Sequence, residues 1–259
     1  MVLDTDYSGK RLRARRMSRP GSQNCFLVPL DHSVADGPLD LPGGLAGFVA
    51  LAGAAGADGV IVHKGRVRFL TPEALGGLAL VVHLNGATRF AADVHERTLF
   101  TDVEEAARLG ADAVSVHVNM GSRTEAAQLA DLGRVAGECG RFGLPLLAMV
   151  YPRGPGVPDP LDPALVAHAA SLAADLGADL VKVPYTGSPD TMAEIVAGCP
   201  IPVLAAGGAA IGDDDKLAEM IAGVMSSGAR GVAMGRNAFL SADPRQTIRR
   251  IADVVHRIP

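Results

Sequence analysis

The chain has 259 residues, 48% hydrophobic and 20% charged, a balance that excludes a disordered polymer and supplies apolar material for one large core. A formal net charge of −4, no Trp, and only three Tyr and seven Phe leave little to grip a nucleic-acid backbone or stack its bases, so no nucleic-acid partner is expected. Cys25, Cys139 and Cys199 are scattered and form no CxxC pair, which points to free thiols in a reducing compartment rather than a disulfide framework or a structural zinc site.

In chain order, residues 1–24 come first. They carry Lys10, Arg11, Arg13, Arg15, Arg16 and Arg19 with no apolar run behind them, which excludes a secretory signal and predicts a solvated basic helix or arm, best placed below the barrel. Apolar runs at 25–32, 59–65, 78–86, 113–119, 144–152, 180–187, 202–208 and 231–236 then read as eight strands. The longest mostly apolar stretch, 45–57, is too short and too rich in Gly to cross a bilayer, so no membrane is expected and the location reads as cytoplasmic. Four of the strands follow one recurring phrase, AGADGV (55–60), LGADAV (109–114), LGADLV (176–181) and SGARGV (227–232), in which a Gly is placed to end a helix.

Helix starts are also marked. Thr71-Pro72 and Asp162-Pro163 each place a capping side chain before a Pro at the first helical position. Thr101 to Glu104 spells a capping box, and three Asp open a helix over 213–226, where they suit the positive end of its dipole. Eight strands, nearly apolar on both faces and alternating with helices, predict a single-domain α/β fold over residues 1–259, a (β/α)₈ TIM barrel. An open doubly wound sheet is the rival, but the GxGxxG usual after its first strand is missing.

In such a barrel the active site lies at the C-terminal ends of the strands. Asp31, His32, His63, Lys64, His83, Asn85, His117, Asn119, Tyr151, Lys182, Tyr185 and Arg236 gather there, with Gly207, Gly208 and Gly235. Lysine is the scarce reagent, with 4 Lys against 20 Arg. Lys10 and Lys216 sit in hydrophilic stretches, Lys64 ends the run VIVHKG, and Lys182 stands between Val181 and Val183. Only a primary amine condenses with a carbonyl to an imine, which a guanidinium cannot do. An ordinary lysine has roughly one neutral amine in 2,500 at pH 7, and desolvation among valines favours the neutral form. The competing reading of Lys182 is an ion pair with Asp31 across the mouth. For Lys64, phosphate binding and a structural ion pair stand equally open.

The seventh and eighth strand ends, Gly207-Gly208 and Gly235-Arg236, place small residues, backbone N–H groups and a guanidinium where many barrels hold a phosphate. His32, His63, His83 and His117 near the mouth raise the rival of a metal-dependent barrel. They lack i, i+2 or i, i+4 pairing, and strand alternation lets at most half of them point inward, which favours hydrogen-bonded roles and no metal. A non-catalytic phosphate-binding barrel is the remaining alternative, in which Lys182 would be idle.

The runs PLDHSVADGP (29–38), HKG (63–65), VSVHVNMGS (114–122), MVYPRG (149–154), VKVPYTG (181–187), AAGG (205–208) and VAMGRN (232–237) resemble the class I aldolases of the archaeal-type fructose-bisphosphate aldolase group. The similarity runs from about residue 9 to 256. It is greatest to the branch of 2-amino-3,7-dideoxy-D-threo-hept-6-ulosonate synthases and enzymes joining aspartate semialdehyde to dihydroxyacetone phosphate. The resemblance implies Lys182 as the Schiff-base lysine, Asp31 as proton acceptor and Tyr151 as proton donor. It implies substrate contacts from His32, Ser33, Val34, Ala35, Lys64, His117, Pro152 and Arg153, and a phosphate held by Gly207, Gly208, Gly235 and Arg236.

It further implies small phosphorylated keto and aldehyde substrates, a homo-oligomer, no cofactor, and a place in aromatic amino acid or aminobenzoate-type biosynthesis. Fructose 1,6-bisphosphate cleavage is the alternative within the group. Ser33 stands where many members have Gly, Val183-Pro184 replaces a common Thr-Ser, and residues 85–103 differ from the usual third loop.

Overall fold

The computed structural model describes Met1 and residues 8–256. Eight parallel strands close a barrel: β1 (Cys25–Pro29), β2 (Gly59–His63), β3 (Ala79–His83), β4 (Ala113–Met120), β5 (Leu146–Pro152), β6 (Leu180–Pro184), β7 (Val203–Ala206) and β8 (Gly231–Ala233). Each strand pairs with its sequence neighbours, and Leu27 of β1 pairs with Ala233 of β8 to complete the ring. Six of the strands end two or three residues before the apolar runs do, because their polar tails leave the ladder to form the mouth. A short antiparallel ribbon, Asn85–Gly86 with Thr98–Leu99, stands on the loop after β3.

Period-two alternation divides the core in two. Leu27, Ile61, Val81, Leu147, Leu180 and Leu204 fill the barrel interior, while Phe26, Val60, Val82, Val114, Val150 and Val181 pack against the surrounding helices. Thr71, Asp162 and Asp213 cap their helices through side-chain oxygens, as the sequence predicts. At the predicted capping box the cap is one residue later: Asp102 accepts from the Glu105 N–H at 2.7 Å and opens the helix Val103–Arg108. Thr101 is instead buried, and its hydroxyl has no partner among the described residues.

The recurring phrase has a double purpose. Its glycines, Gly56, Gly110, Gly177 and Gly228, end helices at φ between +83° and +106°. Its aspartates then satisfy the open N–H of a neighbouring strand: Asp58 accepts from Phe26 at 2.7 Å, Asp112 from Leu80 at 3.0 Å and Asp179 from Leu146 at 2.8 Å. This ring of carboxylates at the barrel floor binds the basic N-terminal segment. Lys10 pairs with Asp179 at 2.7 Å, Arg16 with Asp112 at 2.7 Å and Arg19 with Asp58 at 3.9 Å.

The segment thus lies below the barrel as expected, but it is docked there and not solvated. Lys10, Ala14 and Met17 are buried under the floor, and Arg13 donates to the Gly143 carbonyl at 2.8 Å. Among the described residues no helix is long and apolar enough to cross a membrane.

Candidate active site

The alternation that fills the interior with aliphatic side chains continues upward into a polar cup. Two residues beyond Ile61, Val81, Met149 and Leu180 stand His63, His83, Tyr151 and Lys182, each still facing inward. Together with Asp31, His32, Val34, Ala35, Arg97, His117, Arg153, Gly207, Gly208, Gly235 and Arg236 they line a cavity of about 280 Å³. Lys182 is 7% exposed, and its Nζ lies 6.0 Å from the centre of the Tyr151 ring. Among the described residues Lys182 forms no ion pair, so the alternative of a bridge to Asp31 is not realised.

Asp31 sits between two imidazoles, with His32 Nδ1 at 3.5 Å from Oδ1 and His83 Nε2 at 3.7 Å from Oδ2. Burial pushes its carboxyl upward, but His83, His32, Lys182 and His63 together outweigh burial and hold it below the usual carboxylate value. The group is thus an ionised acceptor at neutral pH. His63 lies against the Asp31 carbonyl at 2.9 Å and so fixes the backbone that presents the carboxylate.

Three of the surrounding histidines are kept neutral by burial. Burial drives His83 down to about 3, and it also lowers His32 and takes His117 well below the ordinary imidazole value. Because unfolded histidines titrate near 6.5, the unfolded chain binds more protons than the folded one between about pH 6.5 and pH 3. Stability therefore falls as the pH falls through that window, and at pH 5 His83 alone accounts for on the order of 2 kcal/mol. Thermal unfolding is expected about 4–8 °C lower at pH 5 than at pH 7, with a smaller gap in His83→Gln. Equal midpoints at the two pH values count against neutral burial of these rings.

A chain of hydrogen bonds places Arg97 over the cup. Gln128 Nε2 and Asn119 Nδ2 both donate to the His95 carbonyl, at 3.0 and 2.8 Å, which pins the loop after β3. His117 Nε2 faces Asn119 Oδ1 at 2.9 Å, so its Nδ1 is free to accept from Arg97 Nε at 3.3 Å. Arg153 reaches the same region from the end of β5, its guanidinium 4.6 Å from the Tyr151 ring centre.

The cradle after β7 and β8 depends on close backbone approach. A Cβ on Gly235 would stand 2.2 Å from the Pro29 carbonyl oxygen, and one on Gly207 would stand 2.6 Å from Met234 Cγ. Asn237 ties the two loops together, donating to the Gly207 carbonyl at 2.9 Å and accepting from the Ile211 N–H at 2.9 Å. Among the described residues the Gly208 and Gly235 N–H groups have no acceptor, which leaves them for an anion.

Three expected contacts do not line the cavity. Lys64 and Pro152 have the opposite parity to His63 and Tyr151 and face away, and Lys64 pairs with Glu105 at 2.9 Å. This is the structural ion pair, not the phosphate contact. Ser33 opens the short helix Ser33–Asp36, which turns its side chain off the cup while Val34 and Ala35 stay on it. The restriction on the histidines also fails: all four of His32, His63, His83 and His117 line the cup, because alternation acts within a strand and they come from different ones. Even so, among the described residues no three His, Cys, Asp or Glu side chains converge as a metal cage.

Sequence reasoning missed Arg97, Gln128 and Asn237 as site residues and gave His83 a role only in the metal-dependent rival. Asn237 closes the run VAMGRN, so a signal existed for it, whereas Arg97 lies in the loop that departs from the family pattern and had none.

Residues 25–241 match the family model described as "DeoC/LacD family aldolase". The chain is 46% identical over 247 residues to a 2-amino-4,5-dihydroxy-6-oxo-7-(phosphonooxy)heptanoate synthase of Streptomyces griseus, covering 95% of this chain and 90% of that protein. It is 38% identical over 248 residues to 2-amino-3,7-dideoxy-D-threo-hept-6-ulosonate synthase 1 of Archaeoglobus fulgidus, covering 96% and 91%. Among solved structures, a Schiff base-forming fructose-1,6-bisphosphate aldolase superposes with a TM-score of 0.88 at 31% identity, covering 95% of this chain and 99% of that one. A barrel with a lone buried lysine in its mouth thus has its place among known proteins, and the chain belongs to the DeoC/LacD family of aldolases and is an enzyme.

Proposed function

We propose that the enzyme joins dihydroxyacetone phosphate to L-aspartate 4-semialdehyde through a lysine imine, giving a seven-carbon 2-amino keto phosphate. The observation that carries this reading is the Lys182 amine, buried without an ion-pair partner among the described residues, beside Tyr151 and within the field of Asp31. Lys182 attacks the donor ketone, a proton is delivered by Tyr151 as water leaves, and the iminium draws electrons from the adjacent carbon. Asp31, already ionised, takes the proton lost from that carbon and leaves an enamine. The enamine carbon bonds to the aldehyde carbon, Tyr151, reprotonated through water by the proton that Asp31 took, protonates the resulting alkoxide, and water releases the product from Lys182. Gly207, Gly208, Gly235 and Arg236 hold the donor phosphate.

The relatives favour this pair of substrates. The Streptomyces griseus protein is named for a heptanoate with amino, oxo and phosphonooxy groups at positions 2, 6 and 7. Breaking such a skeleton between its two hydroxyl carbons returns aspartate semialdehyde and dihydroxyacetone phosphate, with no atom gained or lost. A seven-carbon amino keto acid of this kind suits ring closure toward an aminobenzoate.

The test is incubation with both substrates and mass analysis of the product. The expected product weighs the sum of the two. An amino seven-carbon product without phosphate, from a deoxyketohexose phosphate donor, moves the reading to the chemistry for which the Archaeoglobus fulgidus protein is named. Cleavage of fructose 1,6-bisphosphate with no amino product establishes the second reading, favoured by the likeness to the solved aldolase.

A further inference from the structure

The cup has cationic groups on two opposite sides, and only one of them is used by the donor phosphate. In the ring order β7 and β8 carry the phosphate cradle, while Arg97 and Arg153 rise from the loop before β4 and from the end of β5. Lys182 stands on β6, between the two. Among the described residues neither arginine forms an ion pair. Arg97 spends Nε on His117 and Nη1 on the Val94 and Glu96 carbonyls, so Nη2 keeps both of its N–H groups. The Arg153 guanidinium carbon lies 4.6 Å from the Tyr151 ring centre, and among the described residues its fork has no hydrogen-bond partner.

We propose that Arg97 and Arg153 form a carboxylate subsite that selects the acceptor aldehyde by its amino-acid end and aims its carbonyl at the enamine on Lys182. The inference rests on the reading above and deepens it. A guanidinium pair presents parallel N–H groups that match a carboxylate, and the buried edge of Arg97 is held for this task by His117, Asn119 and Gln128. Burial and the neighbouring Arg153 bring Arg97 down to about 10, while Asp93, Asp31 and Tyr151 act in the opposite direction from beyond ion-pair distance. An arriving carboxylate relieves that like-charge pressure. Electrostatics of the empty cup thus favour an acceptor with a negative end over a neutral aldehyde.

The test compares wild type with Arg97→Gln, Arg97→Lys and Arg153→Gln, using dihydroxyacetone phosphate as donor. The acceptors are L-aspartate 4-semialdehyde, butanal and D-glyceraldehyde 3-phosphate. The expected result is a fall of about tenfold to hundredfold in the kcat/KM ratio of aspartate semialdehyde over butanal for Arg97→Gln and Arg153→Gln. The loss should fall mainly on KM, and Arg97→Lys should recover part of it. Borohydride trapping of the donor on Lys182 shows that each variant is folded, and Arg153 is exposed, so its variant stands if that of Arg97 does not fold.

A ratio left at the wild-type value in folded variants overturns the inference. So does a larger loss with glyceraldehyde 3-phosphate, which makes the subsite one for phosphate. Failure of the wild type itself to use aspartate semialdehyde overturns the functional reading first, and is visible without any variant.

Discussion

Lys182→Arg is expected to lower turnover by at least about 10⁴-fold while leaving the barrel folded. Arginine supplies a positive charge at the same point of β6, so Asp31 has a cationic neighbour, but a guanidinium cannot condense with a ketone. The other lysines offer no substitute. Lys10 is buried on the floor against Asp179, Lys64 faces away and pairs with Glu105, and Lys216 is exposed beside Asp213. Borohydride with dihydroxyacetone phosphate should therefore add a reduced adduct to the peptide containing Lys182 in wild type and to no peptide in the variant. An adduct that persists in Lys182→Arg would falsify the assignment, and one found on Lys64 would move the chemistry to the end of β2 across the barrel.

Much of the molecule was legible in the sequence for a physical reason. A parallel strand covered on both faces reads as an unbroken apolar run, so Val60 to Val62 or Leu146 to Val150 admit no other reading. Strand ends were overestimated where polar tails continued the run after the ladder had stopped, as at Asp31 and His32. Lys182 announced itself because a lysine among valines needs a purpose. Lys64 stood open between phosphate binding and an ion pair until parity was applied, since a residue next to inward-facing His63 must point outward. The same rule, applied across strands instead of within one, wrongly excluded half of the histidines.

What the sequence hid depends on long-range partners. Lys10, Arg16 and Arg19 look like a solvated charge run because the carboxylates that bind them lie 169, 96 and 39 residues away. Arg97 sits in an irregular loop with no period to mark its direction, and its place depends on the His95 carbonyl being held by Asn119 and Gln128. No pattern in residues 85–103 shows that contact in advance.

Tyr151→Phe is expected to lower kcat by about 10²- to 10⁴-fold, because the cup contains no other group suited to deliver a proton at neutral pH. Asp31 is held ionised and can only accept. His83, His32 and His117 are all held neutral by burial, and a neutral imidazole is a poor acid, while His63 turns both ring nitrogens to the His83 and Asp31 carbonyls. The phenol is what remains. Its ring is fixed by edge contact with His117 at 4.9 Å and by Arg153 at 4.6 Å, contacts that phenylalanine preserves. The variant should therefore keep its unfolding midpoint and its donor KM, and lose the step that expels water or protonates the new alkoxide. Intact mass of the variant mixed with donor should show a covalent intermediate that accumulates where wild type turns over. A raised KM with kcat unchanged would instead make Tyr151 a packing surface for the substrate and leave the proton to bulk water.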